Sequence, residues 1–312
     1  MESGGGVDLA TVAQAEQYNE LFVSLLNCSI TDAACLRSKS TEELSNASNN
    51  MPSGGVPVIG TPYTNEGRGP SWGPLIDGKV IPAAPSQVGV KVPSIMGSNT
   101  NEGSLFVLDQ YGLAAFNLTS ADYDQFLDYN FGPFASTVNQ TYALSEFSAS
   151  PIPVFTAMST VYTACKFHCT AHRALNLAVQ KGVPAYTYSF GHTPSCSWET
   201  AIPNNPTILE ALGATHTSEI PFVFGVVENL PLPTGNCSFN DAEKEISAYL
   251  SSAWTQMAAV GSPGNGWSAY TIDGSLGINI SASGVVTDVV DYSSCTFWDA
   301  LQNAMMADIA AT

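Results

Sequence analysis

KVPSIMGSNTNEGSLF, residues 91–106, is the stretch on which the reading of this chain turns. Lys91–Gly97 is a short apolar run that ends in Gly-Ser-Asn, the pattern of a buried strand delivering the chain into a functional loop. Downstream, Val183–Phe190 (VPAYTYSF) is β-branched and aromatic and reads as a second strand. Between the two lie helical pieces over 121–148, broken at Gly132-Pro133, and a long helical segment, Val154–Gln180. Lys181-Gly182 closes that segment with a basic last turn and a C-cap glycine. Strands separated by long helical stretches predict an α/β chain rather than a sandwich. Towards the N-terminus, 7–26 and 41–47 carry helical spacing, and 51–85 is rich in Gly and Pro with short β-compatible runs. Towards the C-terminus, 240–259 reads as an amphipathic helix ending at Gly261. The tail 267–292, with turn signals at Asp273-Gly274 and Ser283-Gly284, reads as one or two hairpins. Only two strands fit the parallel pattern, so the expected sheet is incomplete.

The composition narrows the class of function. Of 312 residues, 27 are acidic and 9 basic, for a net charge of -18. Such a chain repels nucleic acid instead of steering it in. Hydrophobic residues are 45%, enough for a sizeable core, and charged residues only 12%, so Ser, Thr, Asn and Gly supply much of the polar surface. No apolar run approaches the ~18 residues that a membrane-spanning helix needs. By length the chain is one large domain or two small ones.

Seven cysteines, at 28, 35, 165, 169, 196, 237 and 295, are many for a reducing compartment. Cys28 and Cys35 enclose a short polar segment that reads as a small disulfide loop; pairing among the other five stays open, with one thiol left over. Six N-glycosylation sequons (Asn27, Asn46, Asn117, Asn139, Asn236 and Asn279) point the same way, to a secreted glycoprotein. MESGGGVDLATVAQ at the start has neither the basic nor the apolar region of a leader peptide, so the expectation is a secreted protein whose front end lies outside this sequence.

Four patterns invite chemistry. Cys165, His168, Cys169 and His172 are spaced C-x-x-H-C-x-x-H, as if for zinc. Seven residues of helix separate the outer two by roughly 10 Å along the axis, too far for one tetrahedral site. No metal and no cofactor are expected. Gly69–Gly73 (GPSWG) has the G-x-S-x-G spacing of a nucleophile elbow, but Pro70, Pro74 and a non-helical sequel deny Ser71 the strand-to-helix turn the motif requires. His192, in a polar loop after the second strand, reads as structural or surface. Glu102, just past the first strand, and His216, in the Gly-entered loop GATHTSEIPFVFG (213–225), are candidates for the acid and base of a Ser-His-acid triad, in the order acid then histidine, though one Glu and one His are a weak pair from spacing alone.

These segments resemble the type-B carboxylesterase/lipase family of α/β-hydrolases, especially its secreted fungal lipases and esterases. MESG (1–4) is similar to the family's strand after the nucleophile helix, and CSITDAACLRSKSTEEL (28–44) to its small disulfide loop. WGPLIDGKVIPAAP (72–85) resembles the segment before the acid, SIMGSNTNEGSLF the acid loop, LGATHTSEIPFVFG the histidine loop, and SAYLSSAWTQMAAVGSPGNGW the C-terminal helix. The resemblance implies triad roles for Glu102 and His216, with Glu219 at a further motif position. It implies the C-terminal part of an α/β-hydrolase fold: an incomplete, mostly parallel sheet with flanking helices and a C-terminal β-hairpin region, as a single truncated domain over 1–312. It also implies carboxylic esters, small-molecule or lipid, as substrates. The family's nucleophile elbow, oxyanion loop and central strands fall before the first residue. The expectation is therefore an inactive chain whose partner is the missing N-terminal part of its own domain. The alternative is a non-catalytic secreted binding or adhesion module of the same fold.

Overall fold

The computed structural model describes residues 2–4, 9–51, 74–197, 199, 202–226, 228, 237–264 and 266–311. Three helices open the chain: α1 (Val12–Leu25), α2 (Ala33–Ser38) and α3 (Thr41–Asn49). A disulfide joins Cys28 to Cys35 across the turn into α2. Asp32 caps α2 by accepting from Cys35 N, and Ser40 and Glu43 form a reciprocal capping box on α3. After the short α4 (Pro85–Val88), strand β1 (Ser94–Asn99) runs into α5 (Glu102–Tyr111). Then come α6 (Ser120–Phe131), α7 (Ala135–Thr141) and α8 (Pro153–Tyr162), the last joined to α9 (Cys169–Gln180) through a π-helical turn, Thr163–His168. Strand β2 (Ala185–Phe190) follows, with α10 (Pro206–Leu212), α11 (Ile220–Val223) and α12 (Asp241–Val260). Strands β3 (Leu276–Ser281) and β4 (Gly284–Val289) and helix α13 (Cys295–Ala311) end the chain.

The described strands form one four-stranded sheet in the order β1-β2-β3-β4. β1 pairs parallel with β2 from Ser94–Ala185 to Asn99–Phe190; β2 pairs parallel with β3, and β3 antiparallel with β4. The tail is thus a hairpin whose first strand extends the parallel sheet, making three parallel strands where the sequence pattern offered two. Beyond β1, Glu2 makes a parallel bridge to Gly97. The result is a mixed, mostly parallel open sheet with flanking helices and a C-terminal hairpin, as a partial α/β-hydrolase fold requires.

Side-chain alternation along the strands builds two cores. On one face Met96 and Ala185 pack with α5, α6, α8, α9 and α13, whose Phe131, Met158, Leu175 and Trp298 are fully buried. On the other, Ile95, Tyr186, Tyr188, Ile278 and Ile280 meet Ile246, Leu250 and Ala253 of α12 and Phe222 of α11. Cys169–Cys295 ties α9 to α13, Cys196–Cys237 ties the segment after β2 to the entry of α12, and Cys165 is a free, buried thiol. Three disulfides are the chemistry of an oxidising compartment. No helix among the described residues is long and apolar enough to cross a membrane.

Candidate functional site

The two loops that carry the sequence candidates are joined at the main chain before their side chains meet. Asn101 N donates to Ala214 O (3.0 Å), and Ala214 N donates back to Asn101 Oδ1 (3.3 Å), around a single parallel bridge between Asn101 and Thr215. Gly213 makes this approach possible. Its φ is +70°, and the Asn101 amide stands 2.5 Å from where a Cβ would sit.

Glu102 is not in a loop, as the sequence pattern suggested, but is the first residue of α5. Its carboxylate therefore sits at the positive end of a helix, a favourable place for an anion. Gly103 lets α5 press on α8, since a Cβ there would collide with the Ser159 carbonyl, and Gly103 N donates to Thr163 Oγ1 (3.0 Å) at the start of the π-helical turn. The Glu102 side chain is fully buried and its Oε2 lies 2.6 Å from His216 Nδ1. Asn99 N donates to its other oxygen, Oε1, at 2.7 Å. An ionised Glu102 requires the proton on Nδ1, which leaves Nε2 with a free lone pair, and the His216 side chain is 27% exposed. Phe106 of α5 and Phe167 of the π turn flank the imidazole, with ring centroids at 5.3 and 4.9 Å. Burial by itself lowers the His216 pKa; the hydrogen bond and charge of Glu102, then the charge of Glu219, outweigh it and raise the value.

Behind the pair lies a second buried acid. Glu219 is 1% exposed, and burial first, then the nearby Glu102 charge, push its pKa up to about 7. Ser3 Oγ donates to its Oε1 (3.4 Å) and Asn99 Nδ2 donates to its Oε2. Asn99 is thus the hub of the site. Its N–H holds Glu102, while its amide reaches Thr215 O (2.7 Å) and Glu219. The sequence reading passed over Asn99; its signal was a polar amide at the very end of a buried strand.

The other sequence candidates lie elsewhere. His168 donates from Nε2 to Asp291 O (2.8 Å) and accepts from Ser98 Oγ at Nδ1 (3.1 Å), so both nitrogens are engaged, and burial lowers its pKa. His172 pairs with Asn176 and stacks on Tyr292, and Cys169 is in a disulfide. The C-x-x-H-C-x-x-H residues are therefore parts of packing and cross-links. His192 is 8% exposed and bonded to the buried Glu243 (3.0 Å), a structural role. Of the sequons, Asn27, Asn46 and Asn117 are exposed and Asn139 is half-buried. Asn279 is also half-buried, with its amide donating to Val289 O (3.2 Å). Asn236, Ser71 and the Gly69–Gly73 string lie outside the described residues.

A family model described as the carboxylesterase family matches residues 1–298. Over 272 residues the chain is 25% identical to neuroligin-3 of Mus musculus, which covers 80% of this chain and 30% of that protein. Neuroligin-3 of Homo sapiens is 25% identical over the same length, 29% of that protein. A shorter stretch of 111 residues is 29% identical to acetylcholinesterase of Leptinotarsa decemlineata, covering 34% of this chain and 15% of that protein. The chain spans less than a third of the length of these relatives.

Proposed function

Because the chain belongs to the carboxylesterase family, we propose that it carries the acid–base half of a serine-esterase triad, Glu102 as acid and His216 as base, for the hydrolysis of carboxylic esters. The observation that carries this reading is the 2.6 Å contact between His216 Nδ1 and a carboxylate with no exposed surface. In the proposed reaction, His216 Nε2 takes the proton of a serine hydroxyl as its oxygen attacks the ester carbonyl. It then passes that proton to the departing alkoxide oxygen, and next activates the water that releases the acid. Glu102 keeps the imidazole in the Nδ1–H tautomer and stabilises the imidazolium formed at each transfer.

Among the described residues none hydrogen-bonds His216 Nε2, and on this reading the nucleophile and its oxyanion donors are supplied from outside them. We accordingly read 1–312 as one esterase-type domain that is inactive by itself, acting in a secreted glycoprotein on esters whose acyl preference the proposal leaves open. Incubating the purified chain with a short-chain chromogenic ester tests this. The expected rate is that of buffer. Turnover abolished by a serine-directed inhibitor would overturn the inactive reading, and Ser71→Ala would then ask whether the GPSWG serine is responsible. Expression with a segment that supplies a G-x-S-x-G serine separates the two functional classes. Restored turnover that Glu102→Gln abolishes supports the esterase; a stable, ligand-binding product without turnover supports a binding or adhesion module.

A further inference from the structure

Asn27-Cys28-Ser29 is a glycosylation sequon whose middle residue is one end of a disulfide. The fold holds these three residues in the stop of α1. Asn27 lies in the left-handed region, φ +53°; its N–H donates to Ser24 O (3.0 Å) and that of Cys28 to Val23 O (3.1 Å). Two such bonds around a left-handed residue are a paired C-cap. The hydroxyl two residues on is engaged as well: Ser29 Oγ shares a hydrogen bond with Thr31 Oγ1 (3.1 Å) and accepts from Thr31 N (3.4 Å). Sugar transfer needs the asparagine amide and that hydroxyl presented together on a chain free to enter an enzyme. The locked turn is therefore a poor acceptor.

Closing the lock is a local event. Seven positions separate Cys28 from Cys35, where the other two disulfides span 41 and 126. The bonds that shape the loop are equally short in sequence: Asp32 N donates to Ser29 O (2.9 Å) and Cys35 N to Asp32 Oδ1 (2.9 Å). Short loops bring their ends together fast and at low entropic cost. This bridge thus needs nothing from the rest of the fold. A sugar already in place is compatible with it, because Asn27 is exposed and stands on the wall of a cleft of about 530 Å³ between α1 and α3. Bridge and sugar can coexist; only the order bridge first, sugar second is closed.

We infer that Asn27 is a conditional glycosylation site, which accepts its sugar only before the Cys28–Cys35 bridge forms. The inference rests on the reading of the chain as part of a secreted glycoprotein. In the sugar step, Asn27 Nδ2 bonds to the anomeric carbon of a sugar carried on a lipid diphosphate. The nitrogen loses one proton, and the lipid diphosphate leaves. In the competing step, the two thiols pass two electrons and two protons to the disulfide of an oxidoreductase, which becomes a dithiol. Asn46 and Asn117 have Ala47 and Leu118 in the middle of their sequons, so no disulfide competes there.

The test is expression of the full chain behind a cleavable secretory leader in a eukaryotic host, with glycopeptide mass spectrometry of each sequon. Secreted and cell-retained material are pooled, so a variant that misfolds still reports its occupancy. Cys35→Ser and Cys28→Ala both keep the sequon and remove the bridge. The expected result is a lower occupancy of Asn27 in the parent chain than in either variant, with Asn46 and Asn117 unchanged. Equal occupancy of Asn27 in the parent and in either variant, beside sugar at Asn46 or Asn117, would overturn the proposal alone. No sugar at any sequon in any form would refute the glycoprotein reading and the proposal with it.

Discussion

Two buried Glu–His pairs occur in this molecule, and they are built for opposite ends. Glu243 and Glu102 are both without exposed surface, with His192 Nε2 at 3.0 Å from the one and His216 Nδ1 at 2.6 Å from the other. Glu243 also accepts from Ser195 N (2.6 Å), Ser195 Oγ (2.6 Å) and Asn240 N (2.9 Å). Its carboxyl is consequently held down at about 2 against the opposing effect of burial. The second nitrogen of His192, Nδ1, is buried with no partner among the described residues. A proton on such an imidazole has nowhere to go. His216 differs in that its second nitrogen belongs to a side chain 27% exposed, while Glu102 has an acidic neighbour, Glu219. The same two residue types make a latch in one place and the proposed base in the other, and the environment of the far ring nitrogen separates them.

The comparison can be broken most severely from the latch side. The Cys196–Cys237 bond spans 41 residues and staples the loop that Glu243 holds. Replacing both cysteines by Ser should cost about 4 kcal/mol by the loop-entropy relation. Denaturant unfolding measures the loss, and the His216 titration should be unchanged. Glu243→Gln removes the charge from a buried, multiply bonded site and should cost about 3 kcal/mol at neutral pH.

The two acids also predict opposite pH trends. Because the folded value of Glu243 lies below the ordinary 4.5, its stabilisation is fully present above pH ~4.5 and is lost as pH falls towards 2. Glu243→Gln should flatten that acid limb. Glu219, raised from 4.5 to about 7, stabilises the fold while protonated, and this contribution is lost as pH climbs through 4.5 to 7. Glu219→Gln should therefore gain on the parent protein between pH 5 and 8, by up to ~3 kcal/mol at 1.4 kcal/mol per unit. Melting curves across that range decide it; a gain that shrinks with rising pH would contradict the assignment. The smallest effect is the most local. Glu102→Gln should bring the His216 pKa down, because burial then acts without its main opponent.

Much of this was legible in the residues. The apolar runs before GSN and after Lys181-Gly182 marked β1 and β2, since fully buried parallel strands lack polar alternation. Glu102 and His216 stood out as candidates from their places after a strand and in a glycine-entered loop and from the family motifs, and the fold brings the two side chains together. What escaped was whatever depends on long-range pairing. The Asp-Gly and Ser-Gly signals announced a hairpin, yet nothing local says that β3 docks parallel on β2, pairing Tyr188–Phe190 with Ile278–Ile280 at a separation of 90 positions. Nor does GHTPSCSW announce that His192 meets an acid on α12, because helix and loop come together through the Cys196–Cys237 disulfide and the bonds of His192 and Ser195 to Glu243, all contacts between residues distant in sequence. Glu219 had a motif position but no visible environment; its raised pKa arises from burial and from Glu102, 117 positions earlier in the chain. Helix α13 went unread since Cys295–Ala311 is apolar on most sides, without a clear face.

The π-helical turn before α9 has a consequence measured in chain length. An α-helix advances about 100° per residue, so adding or deleting one residue in a helix rotates everything beyond it by that angle. Thr163–His168 holds its wider turn between two fixed ends, α8 pressed on Gly103 and α9 cross-linked through Cys169–Cys295. A single-residue deletion there would leave the composition nearly untouched and still turn Phe167 off the His216 ring, whereas point substitutions at the solvent side of the turn would not. This part of the site is specified by a count of residues as much as by their kind.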